Sequence, residues 1–390
     1  MAAGSGTRQG RLAAGVAGLL TVAAAVTALG GAPDVARFVV AAFALAALAA
    51  VVGQSIEQVG ERLGPGPTGL LQSSLGNLPE LLVGIFALRA GLTHVVQAAL
   101  VGSVLANLLL VLGVAFLSGG MRHGVQRFEP EAPRMLVTLL ALAVGAMLVP
   151  TLAVRLHTPA TRHADALSDV VAIVLLLVYA ASIPFWLSGG PEAAAAGNRS
   201  SKASARPGAA PAPGAAPAPG IAPAPGAGPA PELGRPPGHD LTLPVALLVA
   251  AALASALVSD WFVAALTPAT RTLGISQVFT GLVIVAIASN AVENVAGIRF
   301  AWKARADYAI STILNSPLQV ALFLTPLLVL LSPLVGPVQL TMVLPSLLVA
   351  ALATAVGVVT VVVYDGEYSW LEGVALIALY VVTAGALWWG

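Results

Sequence analysis

Two glutamates stand where a charge is costly. Glu80 lies about halfway along an apolar run at residues 69 to 90, and Glu293 lies well inside another at residues 272 to 302. An ionisable side chain at membrane depth marks a functional site by default, because something must offset its removal from water. The surroundings of the two glutamates repeat. One reads Asn77-Leu78-Pro79-Glu80 and the other Asn290-Ala291-Val292-Glu293, and a serine, Ser103 or Ser316, follows each glutamate at a distance of 23 residues. Asn107 comes shortly after the first serine and Gln319 shortly after the second. Residues three apart share a helix face, so each copy can aim an amide and a carboxylate at a common centre.

Two carboxylates with amide and hydroxyl oxygens form an all-oxygen set suited to a hard cation such as Ca²⁺, which takes about 6–8 oxygen ligands. The chain has no Cys, and no His falls in the inferred cavity, so metals that prefer thiolate or imidazole are disfavoured. Desolvation and mutual repulsion make protons the natural competitors once the metal is absent. A cavity holding one divalent cation or two protons is neutral, whereas the empty dianion is too costly to occlude. That asymmetry enforces exchange and suppresses leak. The plainer alternative makes both glutamates structural, with Ser103 and Asn107 acting as polar glue between helices. The shared Asn and Ser spacing argues against it.

The elements that must position these residues follow from composition. Of 390 residues only 9% are charged and 58% are hydrophobic, against roughly 25% and 45–50% in ordinary globular chains. Mean hydropathy is +0.92, and apolar runs approach the ~20 residues a helix needs to cross a bilayer. A cytoplasmic enzyme is excluded. A net charge of +1 gives no basic surface for nucleic acid. The runs do not alternate as barrel strands would, so the fold class is all-α. About eleven transmembrane helices are expected, near 12–31, 36–54, 69–90, 94–118, 133–154, 168–187, 243–264, 272–302, 307–331, 338–363 and 369–389. Asp260 falls within a turn or two of the end of its run, where it can reach the interface.

The division along the chain is an N-terminal segment with an extra helix (1–35), a first transmembrane repeat (36–187), a tether (188–241) and a second repeat (242–390). The tether is rich in Pro, Ala and Gly, as in Pro211-Ala-Pro-Gly-Ala-Ala-Pro-Ala-Pro-Gly220. Such a sequence cannot bury enough apolar surface to order itself. Arg8, Arg11, Arg62, Arg122, Arg127, Arg134, Arg199, Lys202, Arg206, Arg235, Arg299, Lys303 and Arg305 fall on one side of the membrane; Arg37, Arg89, Arg155, Arg162 and Arg271 fall on the other. The cytoplasmic side carries the excess, which places the N-terminus and the tether in the cytoplasm and the C-terminus outside, in a bacterial-type plasma membrane. Arg8 and Arg11 followed by an apolar run also fit a secretory signal. The span with Glu80 then runs outward and the one with Glu293 inward, so the two five-helix repeats are inverted, with their site at the midplane. Pro79 and Pro317 remove helix hydrogen bonds beside Glu80 and Ser316.

Gly76-Asn77-Leu78-Pro79-Glu80 through Ala87-Leu88-Arg89-Ala90-Gly91, then Val95-Val96-Gln97-Ala98 and Gly102-Ser103-Val104-Leu105-Ala106-Asn107-Leu108-Leu109-Leu110-Val111-Leu112-Gly113, resembles the first repeat of cation/proton exchangers in the calcium/cation antiporter superfamily. Asn290, Glu293, Ser316, Gln319 and Ala321-Leu322-Phe323-Leu324-Thr325-Pro326 resemble the second, and Tyr364-Asp365-Gly366-Glu367-Tyr368-Ser369-Trp370-Leu371-Glu372-Gly373 resembles the last loop and helix entry. The resemblance implies Ca²⁺ transport in exchange for H⁺ by alternating access, without a cofactor and without enzymatic chemistry. Glu80 and Glu293 would be alternately metal-bound and protonated. Asn77, Ser103, Asn107, Asn290, Ser316 and Gln319 would complete the site. The partners implied are the lipid bilayer, Ca²⁺ or other small cations, and protons. The second repeat departs from the pattern at Ser289, where the family has Gly, at Asn294, where it has His, and at Asn315-Ser316-Pro317. An Na⁺/H⁺ or Na⁺/Ca²⁺ exchanger of the same fold is the nearest rival, and a passive cation channel is more distant.

Overall fold

The computed structural model describes residues 3–63, 75–187 and 241–388, without the side chains of residues 3–9, 11, 60–63, 185–187 and 291–293. Helix α1 spans Ala3–Leu29, α2 spans Asp34–Leu63 and α3, which carries Glu80, spans Leu78–Arg89. They are followed by α4 (Thr93–His123), α5 (Glu131–Arg155) and α6 (Ala164–Leu187). The tether lies outside the described residues. Beyond it come α7 (Thr242–Leu273), α8 (Gln277–Ser289), α9 (Ala291–Trp302), α10 (Ala306–Val335), α11 (Ser346–Tyr364) and α12 (Trp370–Ala386). Among the described residues, eight helices are long and apolar enough to cross a bilayer, and α8 with α9, bent by 65°, makes a ninth. The all-helical membrane architecture is therefore the one composition demands.

Local chemistry explains several ends. Ser276 caps α8 by accepting from the backbone N–H of Phe279 at 2.9 Å. Ser369 and Glu372 form a reciprocal capping box at the start of α12, satisfying two of the donors that a helix start leaves open. Gly274 stops α7 in the left-handed region, φ 67°, which a side chain would resist.

Four sequence expectations are corrected. Helix α2 continues to Leu63 instead of stopping near 54, because Gln54-Ser55-Ile56-Glu57-Gln58 is polar enough to end an apolar run yet holds helix formers. Helix α7 likewise reaches Leu273 instead of 264, so Asp260 lies well inside the helix, and it is exposed. Phe262 stacks on Phe38, centroids 4.8 Å apart, which sets Asp260 level with the first turns of α2. Pro79 falls in the first turn of α3, where a missing N–H costs nothing; it begins a helix and removes no bond. Finally, residues 338–345 are not helical, and α11 starts only at Ser346.

That last segment is an extended strap, alternately buried at Leu340, Met342 and Leu344. Buried irregular backbone must have its polar groups satisfied by protein. Thr151 on α5 donates to the Met342 carbonyl and accepts from the Leu344 N–H, both at 2.9 Å. Ser168 on α6 accepts from the Met342 N–H at 3.1 Å, and Ser332 accepts from the Leu340 N–H at 2.8 Å. Gln97 on α4 donates to the carbonyls of Thr341 and Val343 at 2.8 and 3.2 Å.

At the other end of α10 and α11, the loops gather on one face. Strands β1 (Gln126–Arg127) and β2 (Glu367–Tyr368) pair antiparallel, with Gln126 opposite Tyr368. The backbone N–H of Glu129 donates to Asp307 at 2.7 Å. Arg122 lies over Trp302 and Arg134 over Tyr364, 4.7 and 4.5 Å from the ring centroids. Arginine and aromatic rings concentrated at one level are what a membrane–water boundary selects.

Candidate ion-binding site

Helices α4 and α8 cross at backbone contact. A Cβ on Gly102 would lie 2.3 Å from the Leu282 carbonyl oxygen, and one on Gly281 would lie 2.7 Å from that of Val95. Only glycine fits at either position. The close approach brings Ser103, next to Gly102, within reach of Asn290, which follows α8 at its break. Asn290 donates to the Ser103 hydroxyl at 2.9 Å and to the Ala286 carbonyl at 3.1 Å.

Two further pairs join the same halves of the chain. Asn107 on α4 donates to Ser316 on α10 at 3.4 Å, and Asn77 at the start of α3 donates to Gln319 on α10 at 3.3 Å. Ser316 in turn donates to the side-chain Oδ1 of Asn290 at 3.5 Å. All six supporting residues expected from the sequence are buried and tied into cross-half hydrogen bonds. The Asn290–Ser103, Asn107–Ser316 and Asn77–Gln319 pairs each join one residue from before the tether to one from after it, while Ser316–Asn290 lies within the second half.

The helices are widened around this network. Turns with π-helical hydrogen bonding occupy Ala106–Val111 in α4, Thr280–Val285 in α8 and Val320–Leu324 in α10. Such turns recur at functional sites because they loosen the regular ladder. In α4 the Asn107 side chain donates to the Ser103 carbonyl at 2.9 Å. In α10, Pro317 lacks the N–H that would hold the turn before it.

Glu80 is 4% exposed. It lines a narrow cavity whose other walls are apolar, with Val83, Ala87, Leu100, Leu266, Val285 and Leu328 among them; there is room for about one water. None of the six supporting residues lines that cavity, although Asn77 sits one turn away on the same helix. Glu293 lies in the first turn of α9, three residues beyond Asn290; its side chain is outside the described residues. Sequence reasoning did not single out Thr325 or the strap, and noted Gln97 only within a motif. The strap left one signal, the two-residue alternation Leu340, Met342, Leu344, which a helix does not produce.

The architecture defines a polytopic helical membrane protein whose two halves meet through buried amides and hydroxyls beside an acidic side chain. Residues 33–187 and 243–389 match the family described as sodium/calcium exchanger protein, and the chain belongs to that family. Among its relatives, a Ca²⁺/H⁺ antiporter of Synechocystis is 33% identical over 353 residues, 89% of each chain. The Ca²⁺/H⁺ antiporter ChaA of Bacillus subtilis is 30% identical, spanning 90% of this chain and 92% of its own. Native YfkE has a similar solved structure, with TM-score 0.74 and 27% identity over 95% of this chain and 99% of that one. The H⁺/Ca²⁺ exchanger CAX shares the fold at TM-score 0.70 and 16% identity, over 96% of this chain and 88% of that one.

Proposed function

We propose that the protein is a secondary antiporter that exchanges Ca²⁺ for H⁺ by alternating access. The observation that carries this reading is the cross-half network, Asn77 with Gln319, Asn290 with Ser103 and Asn107 with Ser316, whose member Asn77 stands one turn from Glu80. Relatives described as Ca²⁺/H⁺ antiporters support the choice of ions. In this reading the chain makes eleven spans in two inverted repeats. Glu80 and Glu293 face a shared chamber and hold either the cation or protons. The amide and hydroxyl oxygens complete the hard-cation shell as the network opens. Burial of Glu80 in apolar walls makes an empty, charged site costly, so a neutral occupant accompanies each transition.

The N-terminus and tether are cytoplasmic and the C-terminus is outside, by the excess of Arg and Lys on the face carrying Arg122, Arg127, Lys303 and Arg305. Purified protein in liposomes with an imposed pH gradient is expected to drive ⁴⁵Ca²⁺ movement that reverses with the gradient. Calcium flux indifferent to the gradient would remove proton coupling. An Na⁺ gradient that drives the flux instead would favour the Na⁺ exchangers after which the family is named.

A further inference from the structure

Beyond the Glu80 cavity, towards the strap, lies a second small cavity that shares the wall residue Leu100 with the first. It also has room for about one water. Its lining is apolar except for Gln97, Thr325 and Thr341. Gln97 is 6% exposed and Thr325 is 5% exposed. Both Gln97 hydrogen bonds to the strap run from its amide nitrogen. The orientation of that amide is therefore fixed, because only the NH₂ end can donate to the two carbonyls. Its Oε1 is left buried with no hydrogen-bond partner, and so is the Thr325 hydroxyl. A buried oxygen without a partner is costly, and two facing one cavity ask for a water or a cation.

A serine or threonine inside a helix ordinarily returns its hydroxyl to a carbonyl one turn back, as Ser168, Thr360 and Thr383 do here. Thr325, placed directly after the π-helical turn Val320–Leu324, does not. Resting on the proposed exchange function, we infer that Gln97 Oε1 and Thr325 Oγ1 form an accessory station for a partly hydrated hard cation. It lies between the Glu80 cavity and the face closed by the strap. Each oxygen replaces part of the hydration shell as the ion passes Leu100. Gln97 couples the station to the strap, because its other end holds the Thr341 and Val343 carbonyls.

The test is Thr325→Val, which keeps the shape and deletes the unpartnered hydroxyl. A merely buried hydroxyl would make this change stabilising and leave transport untouched. The station instead requires the apparent KM for Ca²⁺ to rise about 3- to 10-fold, the worth of one polar contact, with Thr325→Ser close to wild type. An unchanged KM overturns the station. Should the valine variant fail to fold, Thr325→Cys serves, since the chain has no other cysteine. Its modification by a membrane-impermeant cationic thiol reagent is expected to slow several-fold in Ca²⁺; absent or Ca²⁺-indifferent modification overturns the proposal. Glu80→Gln is measured alongside. Activity surviving in it defeats the exchange reading itself, whereas a dead Glu80→Gln with wild-type Thr325→Val defeats the station alone.

Discussion

Charge at the residue scale separates Glu80 from Asp260. Glu80 is buried in a narrow apolar cavity, three residues along the chain from Asn77 of the amide and hydroxyl network, where in the proposed exchange its protonation and cation binding would be coupled. Asp260 is exposed on α7, and Phe262 beside it stacks on Phe38 near the start of α2. It lines neither of the two buried cavities. Glu80→Gln is therefore expected to abolish ⁴⁵Ca²⁺ exchange, a loss of at least about 100-fold, while Asp260→Asn keeps most of it. Equal losses in a liposome flux assay would mean that the site is misplaced. Glu80 and its companions were legible because residue type and spacing coincide twice in one chain. Which oxygen meets which amide was not legible. Asn77 reaches Gln319 across 242 positions, and no local pattern encodes such a partner. Gln97 and Thr325 escaped for a related reason: on helices buried nearly all round, periodicity does not say which polar side chain faces a cavity.

At the scale of elements, the crossing of α4 and α8 holds the network together, and its demand falls on backbone. A methyl group on Gly102 would meet the Cα and carbonyl of Leu282, atoms that cannot swing aside as a side-chain tip does. Gly102→Ala should thus lie at the upper end of overpacking costs, about 3 kcal/mol. It should also separate Ser103 from Asn290. The expected outcome is a lower melting temperature in detergent together with weakened Ca²⁺ exchange; a variant as stable and active as wild type would show that the helices do not meet so closely. The apolar run containing this glycine was visible in the sequence, but the crossing was not, since small residues are common throughout this chain. The strap failed as a sequence assignment because hydropathy counts apolar residues without asking where their backbone bonds go. Thr151, Ser168, Ser332 and Gln97 supply those bonds from four other positions.

For the whole molecule, the question is what keeps the halves in register when the segment joining them is Pro-, Ala- and Gly-rich. Contacts between the halves are extensive without it: α2 packs along α7, β1 pairs with β2, Thr151 grips the strap, and the polar network crosses the centre. A tether adds only effective concentration to an interface already formed, and that gain varies weakly with its length. Deleting residues 200–235 leaves 188–199 and 236–241, which at about 3.3 Å per residue still reach roughly 60 Å. Turnover in the deletion is expected within about twofold of wild type, measured as initial ⁴⁵Ca²⁺ flux per folded protein. If a well-folded deletion loses transport, the segment takes part in the cycle, and the division of labour between a rigid pair of halves and a passive link fails.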